Sequence, residues 1–167
     1  MFKIIGIVII ISVTSFTGSY FSMTLKNRVV ILKKLNYMFE EILILLRCRS
    51  ATVYEIAEAL AADDRFSDFG FLQKVISDKN KPFRESWCEA VSENIPHGAK
   101  KSDIELLTDI GRKLGASDLD GQISTISLWQ SEVVSAISSA EEDYARKAKL
   151  YRSLGVLAGA FISIMLV

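Results

Sequence analysis

A chain of 167 residues with 20 Lys and Arg against 20 Asp and Glu carries no net charge, and it has room for one domain with flanking segments. That balance excludes a nucleic-acid binder built on overall basicity, and it excludes a polyanion-like tail. Two cysteines and a single histidine leave little material for metal or redox chemistry.

From Ile4 to Leu25 no residue is charged, and at about 1.5 Å per residue the run makes roughly 33 Å of helix, enough for a hydrocarbon layer near 30 Å. The competing assignment is a cleaved signal peptide: Lys3, an apolar stretch from Ile4 to Ile11, then the small residues of Ser15-Phe16-Thr17-Gly18-Ser19. A span is preferred, because apolar character continues through Tyr20, Phe21 and Met23 and because Lys26 and Arg28 follow as a stop signal. Leu25 to Arg47 carries two apolar stripes, one through Leu25, Val29, Leu32, Phe39, Leu43 and Leu46, the other through Ile31, Leu35, Met38, Ile42 and Leu45. Such a helix has more than one packing neighbour, and it runs straight on from the first span.

Ser50 to Glu55 ends that helix and starts the next, with Thr52 and Glu55 at capping-box spacing. The second helix covers about Val53 to Ala62, a third Phe66 to Ser77, and a fourth Pro82 to Asn94 with Pro82 in its first turn. Ile95-Pro96-His97-Gly98 makes a loop. Ser102 and Glu105 read as a second capping box, opening a fifth helix that ends at Leu114 before Gly115. From Ser117 a last helix shows Leu119, Ile126, Val133 and Ala140 seven apart, with Ile123, Ile137, Tyr144 and Tyr151 offset by four. This is a heptad seam interrupted by Gln130 and Lys147. Glu142 with Arg146, and Asp143 with Lys147, add support one turn apart.

That helix feeds the apolar run Leu154 to Val167, short for a span at roughly 21 Å. Gly155 and Gly159 form a small-xxx-small face suited to packing beside the first span. The domains are then 1–25, a transmembrane helix; 26–152, a cytoplasmic helical bundle; and 153–167, a second hydrophobic membrane segment. The orientation rests on Lys and Arg near the span ends. Between Lys26 and Arg49 six basic residues stand against two acids, and Arg146, Lys147, Lys149 and Arg152 crowd the C-terminal run. Only Lys3 and the amino terminus oppose a cytoplasmic bundle with both chain ends on the far side.

Little in the chain suggests catalysis. His97 lies in a Pro-His-Gly turn with no nucleophile or second ligand nearby in sequence. Cys48 and Cys88 each fall within an amphipathic stretch and read as reduced, packed side chains. Asp118-Leu119-Asp120-Gly121 resembles the start of a calcium loop, but the closing Glu is absent and Gly121 comes too early. The acids fit instead the first turn of a helix, where the macrodipole favours them. No phosphate loop, dinucleotide fingerprint or zinc motif occurs, so the expectation is a non-enzyme with no cofactor, no catalytic residues and no metal.

Thr52-Val53-Tyr54-Glu55, Leu114-Gly115-Ala116-Ser117-Asp118 leading to Gln122, and above all Lys149-Leu150-Tyr151-Arg152-Ser153-Leu154-Gly155-Val156-Leu157-Ala158-Gly159 carry a resemblance to the stage III sporulation protein AB family. It covers essentially the whole chain; Gly121, where a helix former is expected, departs from it. The family is similar, in its cytoplasmic domain, to platform protein F of type II secretion machines. The resemblance implies an all-α bundle of about six antiparallel helices between two transmembrane segments. It implies a scaffold of the mother cell to forespore channel complex in endospore formation, on the mother-cell side of the outer forespore membrane. The implied partners are a secretion-type ATPase (stage III sporulation protein AA), other channel-complex membrane proteins and membrane lipid, with no nucleic acid and no small-molecule substrate. The alternative is an exported helical interaction protein with a cleaved signal peptide.

If the first and last helices leave the membrane together, roughly 23 residues of helix put Cys48 to Thr52 and Gly115 to Gln122 about 35 Å from the bilayer. The acids Glu55, Glu58, Asp63, Asp64, Asp118 and Asp120 then sit away from the anionic lipid surface. Glu55, Glu58, Asp118, Asp120 and Gln122 are the candidate partner-binding residues, and Gly155 and Gly159 the candidates for packing within the membrane. The bland alternative for the acids is a solvated face. The topology predicts that a single cysteine at Ser92, with Cys48 and Cys88 replaced by serine, stays unlabelled by an impermeant thiol reagent until the cells are lysed. Labelling without lysis would overturn it.

Overall fold

With only two prolines in the chain, both between residues 80 and 100, nothing forces a break in the long apolar stretches at either end. The computed structural model describes residues 2–49, 51–78 and 80–166, with 2–5, 7 and 166 as backbone alone. Ser50, expected at the first turn, and Val167, the last residue of the C-terminal run, lie outside the described residues. Helix α1 runs Phe2–Arg49 and α6 runs Leu119–Leu166, each of 48 residues. Between them lie α2 (Val53–Ala62), a 3-10 turn at Asp64–Phe66, α3 (Gly70–Ser77), α4 (Phe83–Glu93) and α5 (Lys101–Lys113). Every regular element among the described residues is helical, so the all-α class with six helices is correct.

The chain divides into two compact units. One comprises Met1–Val29 with Ser138–Val167, the other Val30–Ile137. The segment 138–152, expected within the bundle, falls in the unit that holds both apolar ends.

In the Val30–Ile137 unit both stripes of α1 are buried, as two packing neighbours require: Leu32, Phe39 and Leu46 on one, Leu35, Met38 and Ile42 on the other. Helices α2 to α5 pack in sequence, each against the next, about an aromatic chain. Phe69 lies 5.6 Å from Phe71, which meets Trp87 edge-on at 5.3 Å; Phe83 lies 5.5 Å from Trp87 and 5.4 Å from Tyr54. Such ring pairs add to the burial itself. Trp87 is fully buried, and its indole N–H finds its acceptor in the Leu107 carbonyl at 2.8 Å. That bond ties α4 to α5. The seam of α6 buries Ile126 and Val133, while the interrupting Gln130 donates to Glu40 at 3.5 Å.

Several boundaries differ from the sequence expectation. The third helix begins at Gly70 rather than Phe66. Phe66 and Phe69 are both buried and three residues apart, a spacing met by successive 3-10 bonds, Phe69 N–H to Phe66 O at 2.8 Å and Leu72 N–H to Phe69 O at 2.9 Å. Pro82 precedes α4 as its extended cap, with φ −54° and ψ 138°. The second capping box is not Ser102 with Glu105. Asp103, almost completely buried, accepts from the Lys100 N–H at 2.9 Å and from the Ser102 hydroxyl at 3.1 Å, so the helix starts at Lys101. Burial of a carboxylate requires such donors. Leu119 stays exposed because it opens α6, and Cys48 is exposed in the last turn of α1, beyond the packed stripes. Cys88 is half-buried, its thiol 3.9 Å from the Thr108 carbonyl oxygen.

Exposed ion pairs dress the unit. Arg65 pairs with Asp63 at 2.5 Å and with Glu41 at 3.1 Å, Lys81 with Glu89 at 2.5 Å, and Lys34 with Asp68. The Arg65 side chain holds the Asp63 carboxyl below its ordinary value, as Lys34 does for Asp68 and Lys81 for Glu89.

Two predictions follow from this packing. A Cβ on Gly111 would overlap the buried Trp87 side chain, whereas one on Gly70 would lie 3.7 Å from Asn94 Oδ1, an ordinary contact. Gly111→Ala is therefore expected to cost about 1–3 kcal/mol in denaturant unfolding, its gain in helix propensity notwithstanding, while Gly70→Ala is neutral or mildly stabilising. As to pH, lowered carboxyl pKa values stabilise the fold above the unfolded values of 3.8 and 4.5, and that stability is lost as pH falls through the lowered folded values. The unfolding temperature should thus hold from neutrality to about pH 5 and fall below it, less steeply at high salt because the pairs are exposed.

Candidate functional site

Two regions concentrate features that packing alone does not require. The first is the pairing of the apolar ends within the Met1–Val29 and Ser138–Val167 unit. Residues without Cβ atoms let the two backbones touch: a Cβ on Gly155 would lie 2.6 Å from the Thr14 carbonyl oxygen and 3.3 Å from Gly18 Cα, and one on Gly159 would lie 2.9 Å from Ile11 Cα and overlap the Thr14 hydroxyl. Gly18, expected only among the small residues of a cleavage site, is the matching small residue on α1; a Cβ there would overlap the Tyr151 carbonyl. The helices run antiparallel in this register. The signal for Gly18 was present in the sequence, since a small residue on one helix needs a small one opposite, but nothing in one strip of sequence states the register.

Several hydroxyls in this unit are satisfied within their own helices. Thr14 donates to the Ile10 carbonyl at 3.0 Å, Thr17 to Val13 at 2.9 Å and Ser163 to Gly159 at 2.7 Å. Away from the seam the surface is apolar, with Ile9, Val13, Phe16, Leu157, Phe161 and Ile164 more than half exposed. Both α1 and α6 are long and apolar enough to cross a membrane. Water would penalise that surface, and hydrocarbon would not. At the charged end of the apolar runs the Phe21 and Tyr151 rings meet at a tilt, 5.8 Å apart, and the Arg152 Nε–H donates to the buried Ser22 hydroxyl at 3.1 Å. Aromatic and basic residues at that level mark a membrane interface.

The second region is the end of the bundle where α1 turns into α2 and α5 into α6. Gly115, at φ 77°, is so close to Val53 that a Cβ would lie 2.7 Å from its Cγ1. The structure thus brings the start of α2 against the turn between α5 and α6. Thr52 donates from its N–H at 2.7 Å and from its hydroxyl at 2.8 Å to Glu55 Oε2, and Glu55 N–H returns a bond to Thr52 Oγ1 at 3.4 Å. The Thr52 backbone and then its hydroxyl hold the Glu55 carboxyl below its ordinary value. Asp118 accepts from the Gly121 N–H at 3.3 Å, capping α6, and a Cβ on Gly121 would crowd that carboxylate at 2.7 Å. The glycine that departs from the expected pattern therefore fits the cap. Gln122 folds back to accept from the Gly115 N–H and to donate to the Ser117 carbonyl, both at 2.9 Å.

Glu55, Asp118 and Gln122 thus each carry local hydrogen bonds, while Asp120 and Glu58 are exposed. Arg47 and Arg49 end α1, and Arg112 and Lys113 end α5, so this end presents mixed charge rather than acid alone. Both signs are where the helix dipoles favour them.

A family model described as stage III sporulation protein AB matches residues 3–167. The chain belongs to the stage III sporulation protein AB family. Stage III sporulation protein AB of Bacillus subtilis (strain 168) is 26% identical over 172 aligned residues, which cover 99% of each chain. No solved structure matches. Membership in this family gives the protein a sporulation role, and the two apolar helices associate it with a membrane.

The glycine seam generates a test. With Cys48 and Cys88 replaced by serine, the pair Phe21→Cys and Tyr151→Cys is expected to crosslink readily in membranes. Adding Gly155→Ile forces the helices apart and should abolish most of that crosslinking. Unchanged yield would mean that the seam does not hold the pair.

Proposed function

We propose that the protein is a non-catalytic scaffold of the mother cell to forespore channel complex, coupling a secretion-type ATPase, stage III sporulation protein AA, to the membrane channel. Its bundle faces the mother-cell cytoplasm from the outer forespore membrane, and other channel-complex membrane proteins pack beside its apolar helices. The observation that supports this most is the division of labour within one chain. One unit exposes apolar surface with basic residues at one end, and the other is a well-packed helical bundle whose polar end offers no obvious chemistry but many charges. Lys26 and Arg28 on α1, with Arg146, Lys147, Lys149 and Arg152 on α6, favour the cytoplasmic side for the charged end of the hairpin. Signal-peptide cleavage after Ser15-Phe16-Thr17-Gly18-Ser19 would remove the α1 partner of Gly155, which speaks against the exported alternative.

ATPase docking is assigned to Glu55, Glu58, Asp118, Asp120 and Gln122. Because Asp118 caps α6, its charge and its cap must be tested apart. Asparagine caps as well as aspartate does, whereas alanine costs about 1 kcal/mol. Asp118→Asn with Asp120→Asn should leave the unfolding temperature nearly unchanged yet weaken ATPase capture in a pull-down, with the larger difference at low salt. Capture equal to that of the parent protein would move the contact elsewhere on the bundle.

A further inference from the structure

The basic residues at the charged end of the hairpin are unequally neutralised. Arg146 pairs with Glu142 and Lys147 with Asp143, each one helical turn back. Beyond Asp143 the chain has no further acid, and before Glu40 it has none. Lys149 and Arg152, three apart and therefore on one face of α6, have no acid one turn away on either side. The facing segment of α1 holds none. Arg152 spends its Nε–H on the Ser22 hydroxyl at 3.1 Å, a neutral acceptor on a buried residue. That bond fixes the guanidinium against α1 and leaves its two terminal amino groups for an anion. Like charges one turn apart cost free energy unless something negative lies between them.

Directly below Arg152 the same side of α6 carries Ser153, Val156 and Leu157, all exposed on an open face of the helix. It is apolar one turn deeper than the guanidinium. A cation at its upper end and hydrocarbon below it match one molecule end to end. We infer that this face of α6 binds an anionic phospholipid, with the phosphate on Arg152 and Lys149 and an acyl chain along Val156 and Leu157. The fork of the guanidinium suits two phosphate oxygens at once, and Ser22 sets its orientation before the lipid arrives. The lipid would neutralise Lys149 and Arg152, which have no acid one turn away on α6. This inference rests on the hairpin lying in a membrane and is independent of any ATPase.

The test uses the full chain purified in a zwitterionic detergent, with phosphatidylglycerol as probe and phosphatidylcholine as control. Native mass spectrometry should show phosphatidylglycerol retained in preference to phosphatidylcholine. Arg152→Gln should weaken that retention about tenfold, the loss of one hydrogen-bonded charge. Lys149→Gln, an exposed position where folding is not at stake, should weaken it about fivefold. Arg146→Gln, which removes the same charge from a residue already paired, should leave it unchanged. Equal losses in all three would reduce the effect to diffuse surface attraction and overturn the site. So would equal retention of the two lipids by the parent protein, or full competition by inorganic phosphate, which has no acyl chain. If Arg152→Gln does not fold by circular dichroism, the contrast between Lys149→Gln and Arg146→Gln decides.

Discussion

Backbone contact between α1 and α6, at Gly18 and Gly155 and again at Ile11 and Gly159, is the constraint on which the apolar unit of this protein depends. In lipid no hydrophobic effect drives two apolar helices together, so close approach must supply packing that longer side chains would prevent. Once those residues meet, the register follows along the pair: Phe21 falls beside Tyr151 and Ser22 beside Arg152. The charged end of one helix is thereby level with the charged end of the other. A single seam of small residues so determines where the apolar surface stops.

The bundle is held together differently. Its core is a chain of aromatic contacts centred on Trp87, whose only polar atom is satisfied by a backbone carbonyl of the next helix. Around it helices begin on local signals: Thr52 with Glu55, Asp63 with Arg65, Asp103 with Lys100, Asp118 with Gly121. Each offsets the unpaired N–H groups of a helix start. Several acids expected to form a docking face therefore also serve the fold, within a surface of mixed charge. The packed helical bundle and the pair of apolar helices are thus held by separate physics.

Much of this was legible in the residues themselves. Long runs without charge or proline, apolar residues three and four apart, and Thr-x-x-Glu at a helix start each act within one or two turns, so α1, α2 and α6 could be read directly and α2 in full. The small-xxx-small pair Gly155 and Gly159 was visible for the same reason. What one strip of sequence could not state was which residues face each other. Phe66 and Phe69 turn inward together because the core has room for both, and that shortens α3 to Gly70. Asp103 rather than Glu105 closes its cap because Asp103 is the buried one. Gly18 matters only through Gly155, and Ser22 only through Arg152, more than a hundred residues away. Local chemistry is written in consecutive residues, whereas register, burial and the neutralisation of charge are properties of pairs, and only the tertiary structure chooses the pairs.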